Sequence, residues 1–481
     1  MLPERLETLV SHLLGHRERS WIEFKHNNGD PDRIGRYVSA LSNAAVLADE
    51  PYGYLLWGVE DSTGEVVGTS FEPHAAKKGN QSLQLWLANH TQPTPAIDFY
   101  EMHRGELRLV LMRVQAASST PVRFESKTFI RIGEATPPLG DYPELEKKMW
   151  SALQSYRWEE EVAKQYVAGD EVLQQLDYGA YFRLLGKPVP EDTDDILRLL
   201  EADRLIKTDG GGYWNILNLG AILFANQLNH FDRLDRKGAR VIRYVGDTKR
   251  ETVRERLGAF GYAKSFEALI TVVDAHLPKR ERIGRALREE VSPFSELSIR
   301  ELVANALIHQ DMTISGAGPM IEIFDNRVEI TNPGKPLIDP NRFIDYPPRS
   351  RNESMAALMR RMNICEERGS GIDKVVYEAE RSKLPPPDFN QLEGAMRVTL
   401  YGPRSFADMT PTERARACYQ HATLRFLEGE RATNATLRER FGIEAENAAQ
   451  VSRVLKQAAE TGLVKLADIA APRSGYVPWW A

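Results

Sequence analysis

The feature that most constrains the fold is the number of residues, because one hydrophobic core rarely organises more than about 250 to 300 of them. This chain has 481 residues, and proline clusters at 137–143, 347–348 and 385–387 interrupt its regular patterns. We therefore expect two to four domains. Hydrophobic residues make up 42% and charged residues 27%, a balance that is typical of globular proteins and argues against disorder.

Composition also limits the classes of partner and compartment. The net charge is −6, so any contact with nucleic acid has to come from local basic patches. The two cysteines, Cys365 and Cys418, cannot form a structural zinc site and are typical of a reducing compartment. No apolar stretch approaches the ~20 residues of a membrane span. We therefore expect a cytoplasmic protein with no membrane partner.

Hydrophobic periodicity predicts a multidomain α/β (α+β) protein with four segments. Residues 1–143 alternate amphipathic helices with short buried strands, and 144–230 form a mostly helical linker region. Within that region, 170–216 have the pattern of a degenerate winged helix. Residues 231–403 return to an α/β pattern. Residues 404–481 contain three helical segments and two short strands, which is typical of a winged helix-turn-helix.

Three carboxylates and a lysine are predicted to meet near the N-terminus. In ERSWIEFK, Glu18 and Glu23 are five residues apart, and Lys25 shares a strand face with Glu23 because strand side chains alternate. Asp61 follows the buried strand predicted at 52–58, whose chain returns as a second strand at Glu65–Gly68. Such carboxylates can hold Mg²⁺ or Mn²⁺ for phosphodiester cleavage. The alternative is ordinary surface charge at strand ends.

A second group of candidate residues lies on the helix predicted in SIRELVANALIH. Glu301 and Asn305 are four residues apart and project from one helix face, which His309 continues one turn later. The carboxylate can orient water and the amide can hold Mg²⁺, which together suit nucleotide hydrolysis. On spacing alone, an ordinary polar helix face explains the pattern equally well.

The downstream sequence favours the nucleotide interpretation. A hairpin at 320–331 leads into Asn332-Pro333-Gly334. Later, Gly369-Ser370-Gly371 follows Arg368 and opens a predicted helix, an arrangement that presents backbone N–H groups to phosphate. Three such elements in this order are more specific than a lone glycine motif.

The N-terminal motifs resemble a known family. ERSWIEFK, SALSNAA, YGYLLWGVEDSTGEVVG and FIRIGEATPPL together resemble the Schlafen-type AlbA domain, over roughly residues 15–140. The resemblance implies a nucleic-acid-binding or nuclease domain. One departure is Tyr52-Gly53, where the family has a Gly-Gly turn. The resemblance assigns metal binding or catalysis to Glu18, Glu23, Asp61 and the accompanying Lys25. Arg131, in the last motif, is assigned to nucleic-acid contact.

The later motifs resemble a second family. RELVANALIH, VEITNPGKP and ERGSGIDKV together resemble the GHKL (Bergerat-fold) ATPases, in the branch commonly fused behind Schlafen-type AlbA domains. The resemblance implies that Glu301 activates water, that Asn305 binds Mg²⁺ and that 337–367 form an ATP lid. A departure is Asn332, where the family has an adenine-contacting aspartate. The other cofactor-binding residues it implies are His309, Gly334, Arg368, Gly369, Ser370 and Gly371.

The C-terminal segment provides further candidates for nucleic-acid contact. In a winged helix the third helix enters the major groove, which assigns Gln450, Arg453 and Lys456 to base or phosphate contact and Arg473 to the wing. The alternative is a protein-interaction module, since Glu446 and Glu460 lie on or beside the same helix.

Together these patterns predict an ATP-gated protein that acts on nucleic acid, as a Mg²⁺- or Mn²⁺-dependent RNA or DNA nuclease with slow ATPase activity. A defence or stress role fits this architecture by analogy. The alternatives are a non-catalytic, ATP-binding and DNA-binding transcription regulator, and a scaffold. We expect tRNA, other RNA or DNA as partner, and a homo-oligomer whose assembly responds to ATP.

Overall fold

The computed structural model describes the chain except residues 1–2, 17, 49, 119, 155–156, 210–211, 284–287, 348 and 367–370. The chain divides into two compact units. Unit 1 comprises Met1–Gly169 and Ile206–Leu217, and unit 2 comprises Asp170–Leu205 and Asn218–Ala481.

In its described residues, unit 1 combines four α-helices with sheets of short and long strands. Its helices are α1 (Pro3–His16), α2 (Pro31–Leu47), α3 (Leu83–His90) and α4 (Pro143–Gln154). Its strands are β1 (Ile22–Lys25), β2 (Tyr52–Trp57), β3 (Lys77–Lys78), β4 (Gln81–Ser82), β5 (Thr91–Gln92), β6 (Ile97–Arg104), β7 (Leu107–Gln115), β8 (Arg123–Phe124), β9 (Lys127–Thr128), β10 (Val162–Val167), β11 (Ile206–Thr208) and β12 (Trp214–Leu217).

The main sheet of unit 1 has the order β1-β2-β7-β6, with β1 and β2 parallel and the other pairs antiparallel. Alternating side chains give it two apolar faces. Leu55 and Trp57 pack against α2, whereas Leu56 packs against the buried positions of α1. Glu23 is the register partner of Leu55. The face that α2 covers is therefore the face that carries Glu23.

The predicted boundary at residue 143 falls inside unit 1. Helix α4 follows the proline-rich segment but packs back onto the N-terminal domain. Its Met149 and Leu153 are buried beside Ala44 of α2 and Ile130. This apolar contact explains why unit 1 continues beyond the predicted boundary.

Unit 2 contains a large sheet and the remaining helices. Its helices are α5 (Gly169–Gln175), α6 (Tyr178–Leu184), α7 (Thr193–Ala202), α8 (Asn218–Phe224), α9 (Tyr262–His276), α10 (Glu296–Ile308), α11 (Glu353–Arg361), α12 (Gly371–Arg381), α13 (Pro411–Leu427), α14 (Asn434–Phe441) and α15 (Ala448–Glu460). Its strands are β13 (Arg240–Tyr244), β14 (Thr252–Leu257), β15 (Arg280–Ile283), β16 (Arg288–Val291), β17 (Met320–Ile323), β18 (Arg327–Pro333), β19 (Asp388–Leu392), β20 (Ala395–Tyr401), β21 (Val464–Leu466) and β22 (Tyr476–Pro478).

The large sheet of unit 2 has the order β14-β13-β17-β18-β20-β19. In this sheet β13 and β17 run parallel, and the other neighbouring strands run antiparallel. Helix α10 packs against α9, α12 and β18. This packing places the polar face of α10 beside the end of β18, where the chain leaves the sheet at Pro333.

The C-terminal segment has its own apolar core, formed by α13, α14, α15 and the β21–β22 hairpin. Cys418 and Val451 are fully buried there. Thr410 and Glu413 form a capping box at the start of α13, which fixes the first turn of that helix. The three helices and two strands occur in the order that the sequence predicts.

Two further observations concern the sequence expectations. The prediction of a strand at Glu65–Gly68 is wrong, since the chain makes only an isolated bridge there, between Val59 and Val66. Among the helices of the described residues, none is both long and apolar enough to cross a membrane.

Candidate functional site

The first candidate site lies at the end of β1 in unit 1. Alternation along β1 places Glu23 and Lys25 on one face, as predicted, and Asp61 follows β2 in the next turn. Lys25 Nζ lies 2.8 Å from Glu23 Oε1 and also contacts Asp61 Oδ2. The lysine therefore joins two of the three predicted carboxylates.

Arg131 joins the third carboxylate to the same cluster. Its Nη2 donates to Glu18 Oε2 at 2.8 Å, and its Nη1 contacts Glu23 Oε2. Glu18 Oε1 also accepts a hydrogen bond of 2.9 Å from the backbone N–H of Phe24. The result is a chain of alternating charges, from Glu18 through Arg131, Glu23 and Lys25 to Asp61. We call these five residues the ion-pair cluster.

The ion-pair cluster does not fit a divalent cation in this arrangement. Oxygen ligands of the right chemistry are present, but each carboxylate contacts a basic side chain. Within the described residues, no three His, Cys, Asp or Glu side chains are grouped so that they could hold a metal ion. The predicted metal site at Glu18, Glu23 and Asp61 is therefore not present as a preformed cage.

Arg131 does not lie where a nucleic-acid contact requires it. Its side chain is only 1% exposed, and burial lowers the pKa of its guanidinium. Contact with nucleic acid needs an exposed arginine, whereas here the guanidinium is enclosed between two carboxylates. Exposed cations in this region include Arg19, beside Glu18 in the chain, and Arg33 and Arg36 of α2, the helix that covers the Glu23 face of the sheet. Tyr37 follows Arg36 on α2, and burial raises the pKa of its hydroxyl. The charge of Lys25 lowers that pKa and the charge of Asp61 raises it.

The second candidate site is a cavity of about 840 Å³ in unit 2, within the range of small-molecule and cofactor sites. We call it the nucleotide pocket. Its walls come from α10, the end of β18, several of the described residues between Lys335 and Arg360, the start of α12 and β20. Six of the predicted cofactor or catalytic residues line it: Glu301, Asn305, His309, Asn332, Gly334 and Gly371.

The helix face predicted from spacing forms one wall of the nucleotide pocket. Asn305 Nδ2 donates to Glu301 Oε1 at 3.1 Å, and burial raises the pKa of Glu301. Gly371 lies directly against this carboxylate, since a Cβ atom there would sit 1.8 Å from Glu301 Oε1. A glycine is needed at the start of α12 because any side chain would displace Glu301.

The opposite wall is formed where β18 ends. Asn332 is 9% exposed and pairs with Met396 of β20 in the sheet. Gly334 has φ +105°, and a Cβ there would lie 2.7 Å from Asp311 Cβ. The turn therefore needs glycine for both conformation and space. His309 is enclosed beside Arg351, and burial lowers its pKa to about 4.

Three predicted phosphate-side residues, Arg368, Gly369 and Ser370, lie outside the described residues. The pocket has basic side chains that the motifs did not indicate. Lys335, Arg349, Arg351 and Arg360 all line it. Among the described residues, Arg349 and Arg360 pair with no acidic side chain. The basic residues of the predicted lid could have indicated this lining, but no single motif in the sequence identifies them.

Three of the C-terminal candidates lie along one exposed face of α15. Gln450, Arg453 and Lys456 follow one another at three-residue spacing along α15 and are all exposed. Arg473 is exposed in the turn between β21 and β22. Lys456 lies 3.7 Å from Glu460, which partly neutralises the face. All four side chains are therefore exposed, and their contact with nucleic acid stays a prediction.

Comparison with known proteins covers both sites. Residues 18–140 match the family described as "Schlafen, AlbA_2", and residues 316–400 match the family described as "Putative ATP-dependent DNA helicase recG C-terminal". No curated protein matches the chain. Among solved structures, the DIP2311 protein from Corynebacterium diphtheriae is 16% identical, with 99% of this chain and 97% of that chain covered and a TM-score of 0.41.

The family matches confirm the two predicted resemblances and the mixed α/β multidomain class. The first match includes all five residues of the ion-pair cluster. The second includes Asn332, Gly334 and Gly371 but begins after α10, so Glu301 and Asn305 lie outside it. Neither match reaches the C-terminal segment, where the winged helix stays a prediction. The two families indicate an ATP-associated protein that acts on nucleic acid.

Proposed function

We propose that unit 2 binds ATP with Mg²⁺ in the nucleotide pocket, and that ATP controls an action of this protein on nucleic acid. The observation that carries the proposal is the convergence of six separately predicted residues on one cavity. These residues come from α10, from the end of β18 and from the start of α12, so no single motif brings them together.

The chemistry of the pocket walls suits each part of the nucleotide. Ile308, Ile330 and Val398 provide an apolar surface for the adenine ring, beside the amide of Asn332. An asparagine amide can donate to and accept from adenine at the same time. The basic side chains of Lys335, Arg349, Arg351 and Arg360 suit the triphosphate.

The polar pair on α10 suits the metal and the water. Asn305 Nδ2 donates a hydrogen bond to Glu301, which leaves the Oδ1 atom of Asn305 available as a ligand for Mg²⁺. Mg²⁺ is a hard cation that prefers oxygen ligands. Bound Mg²⁺ would neutralise phosphate charge. Glu301, with its raised pKa, is suited to accept a proton from the attacking water.

Calorimetry with Mg-ATP tests this proposal. Asn305→Ala removes the metal ligand, and we expect binding at least tenfold weaker than in the wild type. Asn390→Ala is the matched control, since Asn390 is exposed on β19 outside the pocket. Equal affinity in the wild type and Asn305→Ala would contradict the assignment. Glu301→Gln should still bind ATP but hydrolyse it about 10²-fold or more slowly.

For the action on nucleic acid, we propose binding at unit 1 with metal-dependent cleavage as its specific form. Cleavage at Glu18, Glu23 and Asp61 would require Mg²⁺ or Mn²⁺ to replace Lys25 or Arg131 as the partner of these carboxylates. The alternative, an ATP-binding transcription regulator without catalysis, is favoured by the contact of each carboxylate of the ion-pair cluster with a basic side chain.

Labelled tRNA, single-stranded DNA and duplex DNA, each incubated with Mn²⁺ or EDTA, separate the two alternatives. Cleavage that needs Mn²⁺ and is lost in both Glu23→Gln and Asp61→Asn would establish the nuclease. Binding without cleavage would favour the regulator. Cleavage that persists in both variants would exclude this cluster as the active site.

A further inference from the structure

One wall of the nucleotide pocket is held by the C-terminal segment. We call residues 339–346 the wall segment. Its Phe343 and Tyr346 line the pocket. A short 3₁₀ helix at Pro340–Arg342 begins it, with Asp339 as its capping residue. The wall segment belongs to the predicted lid, so its position decides the shape of the cavity.

Three side chains connect the wall segment to the C-terminal core. Tyr419 of α13 donates its hydroxyl to the carbonyl oxygen of Asn341 at 2.5 Å. Trp480 Nε1 in turn donates to the Tyr419 hydroxyl at 3.2 Å. The guanidinium carbon of Arg342 lies 4.4 Å from the centroid of the Trp480 ring, which is cation–π geometry.

Arg342 connects Trp480 to other residues of the wall segment. Its guanidinium nitrogens bond to both carboxylate oxygens of Asp345, at 2.5 to 2.9 Å. It also lies 5.5 Å from the ring of Tyr346, which faces the pocket. Bidentate pairs of this kind fix orientation as well as distance. A shift of Trp480 would therefore move Arg342 and, with it, the aromatic side chains that line the cavity.

The same C-terminal core also holds α12, on another side of the pocket. His421 of α13 lies 2.7 Å from Glu380 and 2.9 Å from the hydroxyl of Thr436. Arg440 donates to the carbonyl oxygen of Leu384 at 2.6 Å and lies 3.7 Å from Glu380. Helix α12 begins at Gly371, against Glu301. Two walls of the pocket are therefore attached to one C-terminal core.

We propose that Tyr419, Trp480 and Arg342 are positioning residues of the nucleotide site, so that the C-terminal segment completes the ATP-binding pocket. The inference rests on the proposed function, since it concerns the same pocket. By linkage, a ligand that moves the C-terminal core changes ATP affinity, and ATP changes the affinity for that ligand by the same factor. The exposed face of α15 is on this core.

A purely structural role for Trp480 is the competing explanation, since its ring also packs against Phe426 at 5.4 Å. Tyr419→Phe separates the two roles, because it removes only the hydroxyl and keeps the ring. Arg342→Ala removes the link from the other side, and Arg342→Lys keeps a cation over the tryptophan. Trp479→Ala is the matched control, since Trp479 is its exposed neighbour.

Titration calorimetry of the full chain with Mg-ATP, and separately with adenosine, tests the inference. We expect Mg-ATP binding about fivefold weaker in Tyr419→Phe, which loses both hydrogen bonds of its hydroxyl, and about tenfold weaker in Arg342→Ala. Partial recovery is expected in Arg342→Lys and no change in Trp479→Ala. The melting temperature of Tyr419→Phe should fall by a few degrees at most and stay above the temperature of the titration, so that the folded protein is what is titrated.

The outcomes distinguish this inference from the proposed function. One outcome is that the wild type binds ATP and that Tyr419→Phe and Arg342→Ala bind it with the same affinity. That result would overturn the inference and leave the proposed function intact. Weaker binding that is matched by an equal loss in Trp479→Ala would also overturn it, because the effect would then be general destabilisation. A wild-type protein that binds no ATP would overturn the proposed function itself.

Discussion

The ion-pair cluster of unit 1 and the nucleotide pocket of unit 2 both gather residues that the sequence singles out, but they differ in what lies between those residues. In the cluster, Lys25 and Arg131 occupy the space between the carboxylates. In the pocket, the polar residues of α10 face a cavity of about 840 Å³. Basic side chains line that cavity and, for Arg349 and Arg360, pair with no acidic side chain of the described residues.

This difference separates a buried charge network from a ligand site. Charges that are buried and mutually paired are expensive to disturb, so their first effect is on folding. Charges that face a cavity are free to exchange water for a ligand, so their first effect is on binding. Removing one cation from each region therefore tests the comparison directly.

The largest effect is expected from Arg131→Ala. The variant leaves Glu23, which is 1% exposed, and Glu18 without their shared cation. Breaking a buried pair in this way costs about 3 to 5 kcal/mol of the free energy of unfolding. Chemical denaturation, followed by hydrogen exchange of the amides in β1 and β2, would measure the loss in unit 1.

Arg33→Ala is the control, because Arg33 is an exposed arginine of α2 near the same cluster. The triple variant Glu18→Met, Glu23→Leu, Arg131→Met sharpens the test. Well-packed apolar replacements of a buried charge triad are often neutral or stabilising, so this variant should regain stability. An Arg131→Ala protein as stable as Arg33→Ala would show that the cluster is not a folding element.

A smaller effect, on binding alone, is expected from Arg349→Ala. Hydrogen bonds to charged groups contribute about 1.5 to 3 kcal/mol, so Mg-ATP affinity should fall by about tenfold or more. Adenosine affinity should be unchanged because adenosine has no phosphate. The matched control is Arg254→Ala, an exposed arginine on β14. An equal loss for adenosine and ATP would show that Arg349 shapes the pocket and does not contact phosphate.

How far the sequence predicts each site depends on the range of the contacts. Glu301 and Asn305 are four residues apart on one helix, so local spacing is enough to place them together. The same holds for Glu23 and Lys25 on one strand. Arg131 lies 113 residues from its partner Glu18, and no local periodicity can show that it is buried between two carboxylates. The sequence therefore predicted the members of the cluster without predicting their charge pairing.

The fold shows the same limit. A strand with a continuous apolar run, such as β2, is predicted correctly because its own residues indicate burial. The predicted strand at Glu65–Gly68 failed because strand formation needs a partner ladder, and there the chain finds one bridge only. The attachment of α4 to unit 1 depends on apolar contacts with α2, a distant segment of the chain, which boundary residues such as proline do not reveal.

The smallest predicted effect concerns His309 and pH. Burial lowers its pKa to about 4, below the value of about 6.5 that an unfolded chain would give it. Between pH 6.5 and 4 the unfolded state binds this proton and the folded state does not, so the free energy of unfolding falls as the pH falls through that window.

His309→Gln lacks this proton uptake. The stability difference between the wild type and His309→Gln should therefore shift in favour of the variant on going from pH 7 to pH 4.5. We expect a shift on the order of 1 kcal/mol, measured by denaturant titration at each pH. His230→Gln, which replaces an exposed histidine of unit 2, is the control. A difference that stays constant across the window would show that His309 takes up its proton at the same pH in the folded protein as in the unfolded chain. In that case the pocket gains one positive charge below about pH 6.5.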